Sequence, residues 1–201
     1  MVELVEFMRS PVVVLETVYK PSDDTELLAE VLDELDIPPV LLEIGSGSGA
    51  VSVRAASRGA LVLAVDSNPL AAISTRFSSI LSGVEERVRP MVGDLFSPVL
   101  GLRFKAILFN PPYLPVDPAP GDLASTAWAG GRPRGRRVID RFLSELPRHL
   151  APDGVAILIQ TEGNGLGETE ERARSVGLSA RILREKKVAF DTLLALAIRL
   201  P

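Results

Sequence analysis

The sequence predicts a single α/β domain built on a doubly wound, mostly parallel sheet. Three observations carry this expectation. Short apolar, β-branched runs alternate with amphipathic runs along most of the chain. Glu43, Asp66, Asp94 and Asn110 stand at or just past the ends of four of those runs, on the rim where open α/β sheets gather ligands. A chain of 201 residues with 46% hydrophobic composition also suffices for one sizeable core.

The elements follow in order. Pro11 to Tyr19 is β-branched and reads as a short extended segment. Pro21, Ser22, Asp23 and Asp24, with Glu26 three residues after Asp23, form a helix start. The helix runs through Leu27, Leu28, Val31, Leu32 and Leu35 and stops before Pro38 and Pro39. Val40 to Ile44 is a buried strand, a glycine turn follows, and Ala50 to Ala56 is helical. Leu61 to Asp66 is the next strand, then a helix through Ala71, Ala72, Ile73, Phe77 and Ile80. Val88 to Val92 and Phe104 to Phe109 are further strands. Residues 114 to 135 are rich in Pro, Gly and Arg and form a loop longer than an ordinary connection. A helix over about Arg136 to Leu150, a turn at Ala151 to Gly154, a strand over Val155 to Gln160, and a helix to Ser175 follow. Two strands, near Arg181–Val188 and Thr192–Leu200, close the chain. That makes seven sheet strands. The organisation expected is a short N-terminal extension over 1–20 and one domain over 21–201.

Composition narrows the function. No apolar run approaches the roughly 18 residues of a membrane span. The N-terminus carries Glu3 and Glu6 where an export signal carries bases, so a cytoplasmic protein is expected. There is no cysteine, and the single His149 builds no metal site by itself; helix-end packing is its expected role. A net charge of −4 argues against a broad nucleic-acid face.

The candidate site lies at the strand ends. Gly45, Gly47 and Gly49 make a G-x-G-x-G turn, which lets backbone approach a ligand and opens the N–H groups of the next helix. Glu43, two residues before that turn, is ill placed beside a pyrophosphate and well placed for an ammonium. Asp66, about twenty residues on, stands where an acid grips ribose hydroxyls. Asp94 is placed to accept from an exocyclic amine of adenine. Amine, ribose and adenine without phosphate describe S-adenosylmethionine (SAM), whose product would be S-adenosylhomocysteine. Asn110-Pro111-Pro112-Tyr113 completes the set. Two prolines stiffen the strand exit, so the Asn110 carboxamide and a backbone carbonyl near Pro111 can aim at one –NH₂ group with Tyr113 over its plane.

With these motifs the chain resembles the class I SAM-dependent methyltransferases over nearly its whole length. Two further stretches, Val18 to Thr25 and Ala127 to Phe142, resemble the small HemK-related methyltransferases of eukaryotes and archaea. The resemblance implies a Rossmann-like sheet whose last strand is antiparallel. It implies SAM contacts at Thr25, Glu43, Asp66, Asp94 and Asn110 over the glycine turn, and a substrate loop carrying Trp128 and Arg132. The implied reaction is methylation of the glutamine amide nitrogen (N5) in the Gly-Gly-Gln motif of class 1 peptide-chain release factors. Also implied is a small zinc-binding activator that adds to the sheet edge, with no metal in this chain. Lys20 stands where the family usually carries an acid. About twenty residues precede Pro21, so substrate docking is expected to rest on residues 114–135 or on a partner.

Two other functions fit parts of the sequence. Asn-Pro-Pro-Tyr also serves enzymes that methylate adenine N6 or guanine N2 in a flipped base. Arg132, Arg134, Arg136 and Arg137 favour that class; the acidic balance and the Ala127–Phe142 stretch oppose it. A SAM-binding module without catalysis is the third class, opposed by the intact Glu43, Asp66, Asp94 and Asn110 set.

Overall fold

A computed structural model describes residues 2–189 and 191–201. The chain opens with a hairpin of β1 (Val2–Phe7) and β2 (Ser10–Leu15), followed by α1 (Asp23–Glu34), β3 (Val40–Ile44), α2 (Ala50–Ser57) and β4 (Leu61–Asp66). Then come α3 (Pro69–Leu81), β5 (Val88–Val92), β6 (Phe104–Phe109), the single turn α4 (Leu123–Thr126) and α5 (Arg137–Glu145). β7 (Leu150–Thr161), α6 (Leu166–Ser175), β8 (Ser179–Lys187) and β9 (Thr192–Arg199) complete it.

Seven strands form one sheet in the order β5-β4-β3-β6-β7-β9-β8. β3, β4, β5, β6 and β7 pair in parallel, and β9 runs antiparallel to both β7 and β8. This is the doubly wound architecture expected, with the last strand reversed. The chain winds outward from β3 to β5, then returns to place β6 on the other side of β3. The crevice of such a sheet opens where the winding reverses. The pairing of Ile44 with Phe109 sets Gly45 and Asn110 side by side there.

Strand alternation divides the core into two layers. Leu41 and Leu108 face one layer with Leu28, Val31 and Leu32 of α1. Leu42, Ile107 and Phe109 face the other with Ile139, Phe142 and Leu143 of α5. Glu43 therefore shares its face with Leu41, on the side of α1 and α2.

Several boundaries differ from the sequence expectation, each for a local reason. The helix expected to reach Leu150 ends at Glu145 and tightens into a 3₁₀ turn over Leu146–Arg148, because Pro147 has no N–H for the α-helical ladder. The turn expected at Ala151–Gly154 is carried inside β7 as a bulge, where the register moves from Phe104/Leu150 to Ala106/Val155. His149 packs as expected: its ring stacks on Phe96 at 4.4 Å and its Nδ1 lies 3.0 Å from the Leu102 carbonyl.

The extended segment expected over Pro11–Tyr19 is strand only to Leu15, and it pairs with β1, which sequence reading missed. Serines of α3 receive this hairpin. Ser78 accepts from the Val13 N–H at 2.9 Å, while Ser74 donates to the Val13 carbonyl at 2.7 Å and accepts from the Leu15 N–H at 3.1 Å. Lys20 pairs with Glu3 of the hairpin at 2.5 Å.

Residues 114–135 are folded. The Leu114 N–H donates to the Trp128 carbonyl at 2.9 Å, the Gly130 N–H to the Leu114 carbonyl at 2.8 Å, and the Gly131 N–H to the Val116 carbonyl at 2.8 Å. Arg136, buried, closes the segment by donating to the Asn164 carbonyl (2.9 Å), Thr169 Oγ1 (2.8 Å) and Asp140 (2.8 Å). Gly135 has φ of +71°, and a Cβ there would stand 1.8 Å from the Tyr113 carbonyl oxygen. Only glycine lets this segment lie so close to the Asn-Pro-Pro-Tyr exit.

Candidate active site

A cleft of about 630 Å³ opens over the carboxyl ends of β3, β4 and β6. Its floor is the turn after β3. The N–H groups of Gly45 and Ser46 donate to the Val65 carbonyl at 2.8 and 3.1 Å, and Gly47 donates to Asp66 Oδ2 at 2.9 Å. Asp66 Oδ1 accepts from the Asn68 N–H at 2.8 Å. Asp66 thus ties the glycine turn to the start of α3 and still lines the cleft. Burial pushes its carboxyl up, opposed by the backbone donors.

Glu43 is buried at the end of β3, and Ser52 of α2 donates to its Oε2. Burial pushes Glu43 up to about 8, against the Ser52 hydrogen bond. Desolvation of the charged form, with Asp66 nearby, outweighs the two neutral donors of Ser52, its hydroxyl and its N–H. Such a carboxyl is poised to ionise when a cation arrives. Thr25 also lines the cleft, with its Oγ1 engaged in the turn that starts α1, 3.3 Å from the Ser22 N–H and 3.1 Å from Asp24 Oδ1. Asp94 lies at the exposed side, where its Oδ2 accepts from Arg141 at 2.7 Å.

Asn110 and Pro111 form the opposite wall, with Tyr113 and Trp128 beyond them. The Asn110 Oδ1 atom is shut away from solvent and has no hydrogen-bond partner within the chain. Burial, then Asp24, pushes the Tyr113 phenol well above the usual tyrosine range.

Two predicted residues do not line this cleft. Gly49 caps α2 at φ +79°, and a Cβ there would sit 2.7 Å from Thr75 Cα; its role is close packing of α2 on α3. Arg132 lies in the exposed segment, where its backbone N–H donates to Asp117 at 3.3 Å.

The donor set fits SAM. The cleft is lined by a buried carboxyl, chemistry that suits an amine, by a second carboxyl at the end of β4, chemistry that suits ribose hydroxyls, and by a turn between them without bulky side chains. A side chain at Gly45 would press on the Asn110 carbonyl and the Phe109 ring at 3.4 Å. Among the described residues, no group of three or more His, Cys, Asp or Glu converges to hold a metal.

Comparison with known proteins agrees. The methyltransferase small domain family matches residues 18–119. A Methanocaldococcus jannaschii protein described as a protein N5-glutamine methyltransferase is 36% identical over 182 residues, spanning 89% of this chain and 90% of its own. The human methyltransferase HEMK2 is 35% identical over 190 residues, spanning 88% and 86%. The chain belongs to the HemK-type class I SAM-dependent methyltransferases. Its fold is that of Mtq2 in the E. cuniculi Mtq2–Trm112 complex, at a TM-score of 0.73 and 24% identity, covering 92% of this chain and 99% of that one.

Within this HemK-type site two residues escaped sequence reading. Asp24 is buried and collects the Tyr19 and Tyr113 hydroxyls at 3.0 and 2.8 Å. A signal existed: positions 24, 27, 28, 31 and 32 form one helical stripe, so the acid sits on the buried face. Asn164, also buried, donates to the Tyr113 and Arg134 carbonyls at 2.7 and 2.6 Å and accepts from the Thr161 N–H at 2.7 Å. Nothing in its Gly-Asn-Gly context announces that.

Proposed function

We propose that this enzyme methylates the side-chain amide nitrogen of the glutamine in the Gly-Gly-Gln motif of a class 1 peptide-chain release factor, in the cytoplasm. The observation that carries the proposal is Asn110 Oδ1. A buried acceptor without a donor costs about 1–3 kcal/mol, and an incoming –NH₂ group removes that cost. Pro111 and Pro112 have no N–H, so the segment offers carbonyls to the second amide hydrogen. Relatives bearing protein-glutamine methyltransferase names support the acceptor class, and the Mtq2–Trm112 complex is described as responsible for methylation of the eRF1 termination factor.

SAM, when bound, supplies the electrophilic methyl group. The chain's own part is positional. Asn110 Oδ1 and a carbonyl near Pro111 hold the two N–H bonds, fixing the plane and direction of a nitrogen whose lone pair is otherwise delocalised. As the N–C bond forms, one of these two protons leaves to solvent and the sulfonium becomes the neutral thioether of S-adenosylhomocysteine. Tyr113 walls the amide plane. Its raised phenol keeps its proton at neutral pH, so it acts as a wall and not as a base. Glu43 and Asp66 hold the amine and ribose ends, the glycine turn admits the cofactor backbone-close, and Asp94 receives the adenine amine beside Arg141.

The nucleic-acid alternative loses part of its secondary support. Of the four arginines that favoured it, Arg134 pairs with Glu168 at 2.6 Å, Arg136 with Asp140 at 2.8 Å and Arg137 with Asp117 at 2.6 Å. These three brace the fold of residues 114–137, which leaves Arg132 of the four, whose contact to Asp117 runs through its backbone N–H.

A small activator subunit, with zinc of its own, is part of the proposal. β5 is an edge strand of the sheet, and Ile73, Phe77 and Ile80 of α3 with Val92 of β5 expose 44–54% of their surface near that edge. Such a patch calls for cover. Size measurement with and without a candidate subunit tests this point.

The main test is mass spectrometry of the host release factor with and without this gene, together with methyl transfer to a purified factor and to RNA. Methyl on the Gly-Gly-Gln glutamine is the expected result. Transfer to RNA alone overturns the proposal.

A further inference from the structure

We propose that Asp24 is a positioning residue for methyl transfer, a latch that acts through the Tyr113 phenol. The inference rests on the proposed function, because it takes Tyr113 as the wall of the acceptor amide.

The wall itself is thin. A second cavity, of about 320 Å³, lies behind it, and Tyr19, Asp24, Tyr113 and Leu114 line both this cavity and the main cleft. Tyr113 packs against both core layers, and the two cavities leave the rest of it without neighbours, where unfilled space makes small rotations cheap. Two hydrogen bonds complete its placement. The Asn164 side chain holds the Tyr113 carbonyl at 2.7 Å, and Asp24 Oδ2 holds the phenol at 2.8 Å. The first fixes the backbone. The second sets which cavity the ring faces.

Asp24 is suited to this because one oxygen, Oδ1, serves the start of α1 and the other, Oδ2, is left for the phenols. Residues Ser22 and Thr25 also make the turn that starts the helix. Asp24 is 3% exposed at a position where α1 otherwise buries Leu27, Leu28, Val31 and Leu32. A carboxylate there carries a desolvation cost that only donors offset. It has four: the Thr25 N–H at 2.6 Å, Thr25 Oγ1 at 3.1 Å, Tyr19 OH at 3.0 Å and Tyr113 OH at 2.8 Å. Both phenol protons point into the carboxylate. With the latch removed, the Tyr113 ring can swing toward the second cavity and leave the acceptor amide without its wall.

The experiment is a double-mutant cycle with D24N and Y113F. It uses enzyme purified from its own host with any bound partner, a Gly-Gly-Gln release factor as acceptor, and calorimetry of S-adenosylhomocysteine alongside. Asparagine keeps the shape, but its amide cannot satisfy Thr25 and both phenols at once; Y113F removes only the hydroxyl. The expected result is a fall in kcat of about tenfold for each single variant, of the order that slight misplacement of a reacting group produces. KM and cofactor Kd stay within about twofold, and the double variant is no worse than either single one. A D24N enzyme with wild-type kcat overturns the inference. So do losses that multiply in the double variant, or a D24N effect confined to cofactor binding. If the wild-type enzyme leaves the release factor unmethylated, the proposed function falls and this inference with it.

Discussion

Glu43 yields a prediction with a worked magnitude. Burial holds it near 8 when no cation is present, so at pH 7 only about one enzyme in ten has it ionised. The ligand's α-amino group stands beside its own carboxylate and stays an ammonium through pH 8. Binding needs the Glu43 carboxylate as its partner. The ionised fraction of Glu43 falls from about one half at pH 8 toward tenfold per pH unit in acid, which makes Kd rise roughly fiftyfold from pH 8 to pH 6. Below pH 8 binding therefore expels a proton. Calorimetry of S-adenosylhomocysteine in two buffers of different ionisation enthalpy reads both the affinity and the proton. The E43Q enzyme binds weakly at pH 8, with no acid limb and no proton release. The free protein shows the reverse sign. A carboxyl raised on folding binds more protons in the native state, so its contribution to stability is present at low pH and is lost as pH rises from about 4.5 toward 8. E43Q removes that loss and raises the melting temperature of the cofactor-free protein at pH 8. A wild-type Kd that stays flat between pH 6 and 8 refutes the assignment of Glu43 to the amine.

Other predictions follow from single contacts. Asn110→Ala abolishes transfer to the release factor while calorimetry finds cofactor affinity within a few-fold; turnover at the wild-type rate removes Asn110 from the mechanism. Gly49→Ala puts a Cβ 2.7 Å from Thr75 Cα at a positive φ, and chemical denaturation registers a loss of about 2–4 kcal/mol. Gly135→Ala meets the Tyr113 carbonyl at 1.8 Å. Limited proteolysis then cuts within residues 114–135, which resist cleavage in the wild type, and kcat falls with them.

The central fold was legible because its strands announce themselves. β3, β4 and β6 are compact apolar runs bounded by glycine, proline or acid, and parallel strands covered on both faces read that way, while β5 carries Arg89 and Pro90 as an edge strand can. The hairpin at the start was not. Its turn is Met8-Arg9, both at positive φ, and a two-residue turn of that kind is recognised by Asn-Gly or Asp-Gly, neither of which is present. At the site, position along the sheet was legible and partnership was not. Sequence placed Asp66 and Asp94 at strand ends, but a linear pattern holds no sign that Asp66 takes the Gly47 N–H or that Arg141 reaches Asp94. Gly49 looked like its two neighbours in the turn, yet it answers to Thr75, twenty-six residues on. Asp24 was hidden by a sufficient local explanation, since an acid in the first turn of a helix is unremarkable until its face is counted.

Helix α3 gives the molecule a mechanical line from surface to chemistry. Its outer side carries Ile73, Phe77 and Ile80 into solvent. Its inner side grips β2 through Ser74 and Ser78, and its first residue boundary, Asn68, holds the Thr17 carbonyl and hydroxyl at 3.2 Å each. β2 leads through Thr17 directly to Tyr19, whose hydroxyl rests on Asp24. A subunit seated on the outside of α3, as proposed, would touch nothing in the cleft and would still bear on it, because the helix is the shared spine of that apolar patch and of the strand that leads to the cleft wall. Tightness of fit at one surface would then become steadiness of a ring at the other.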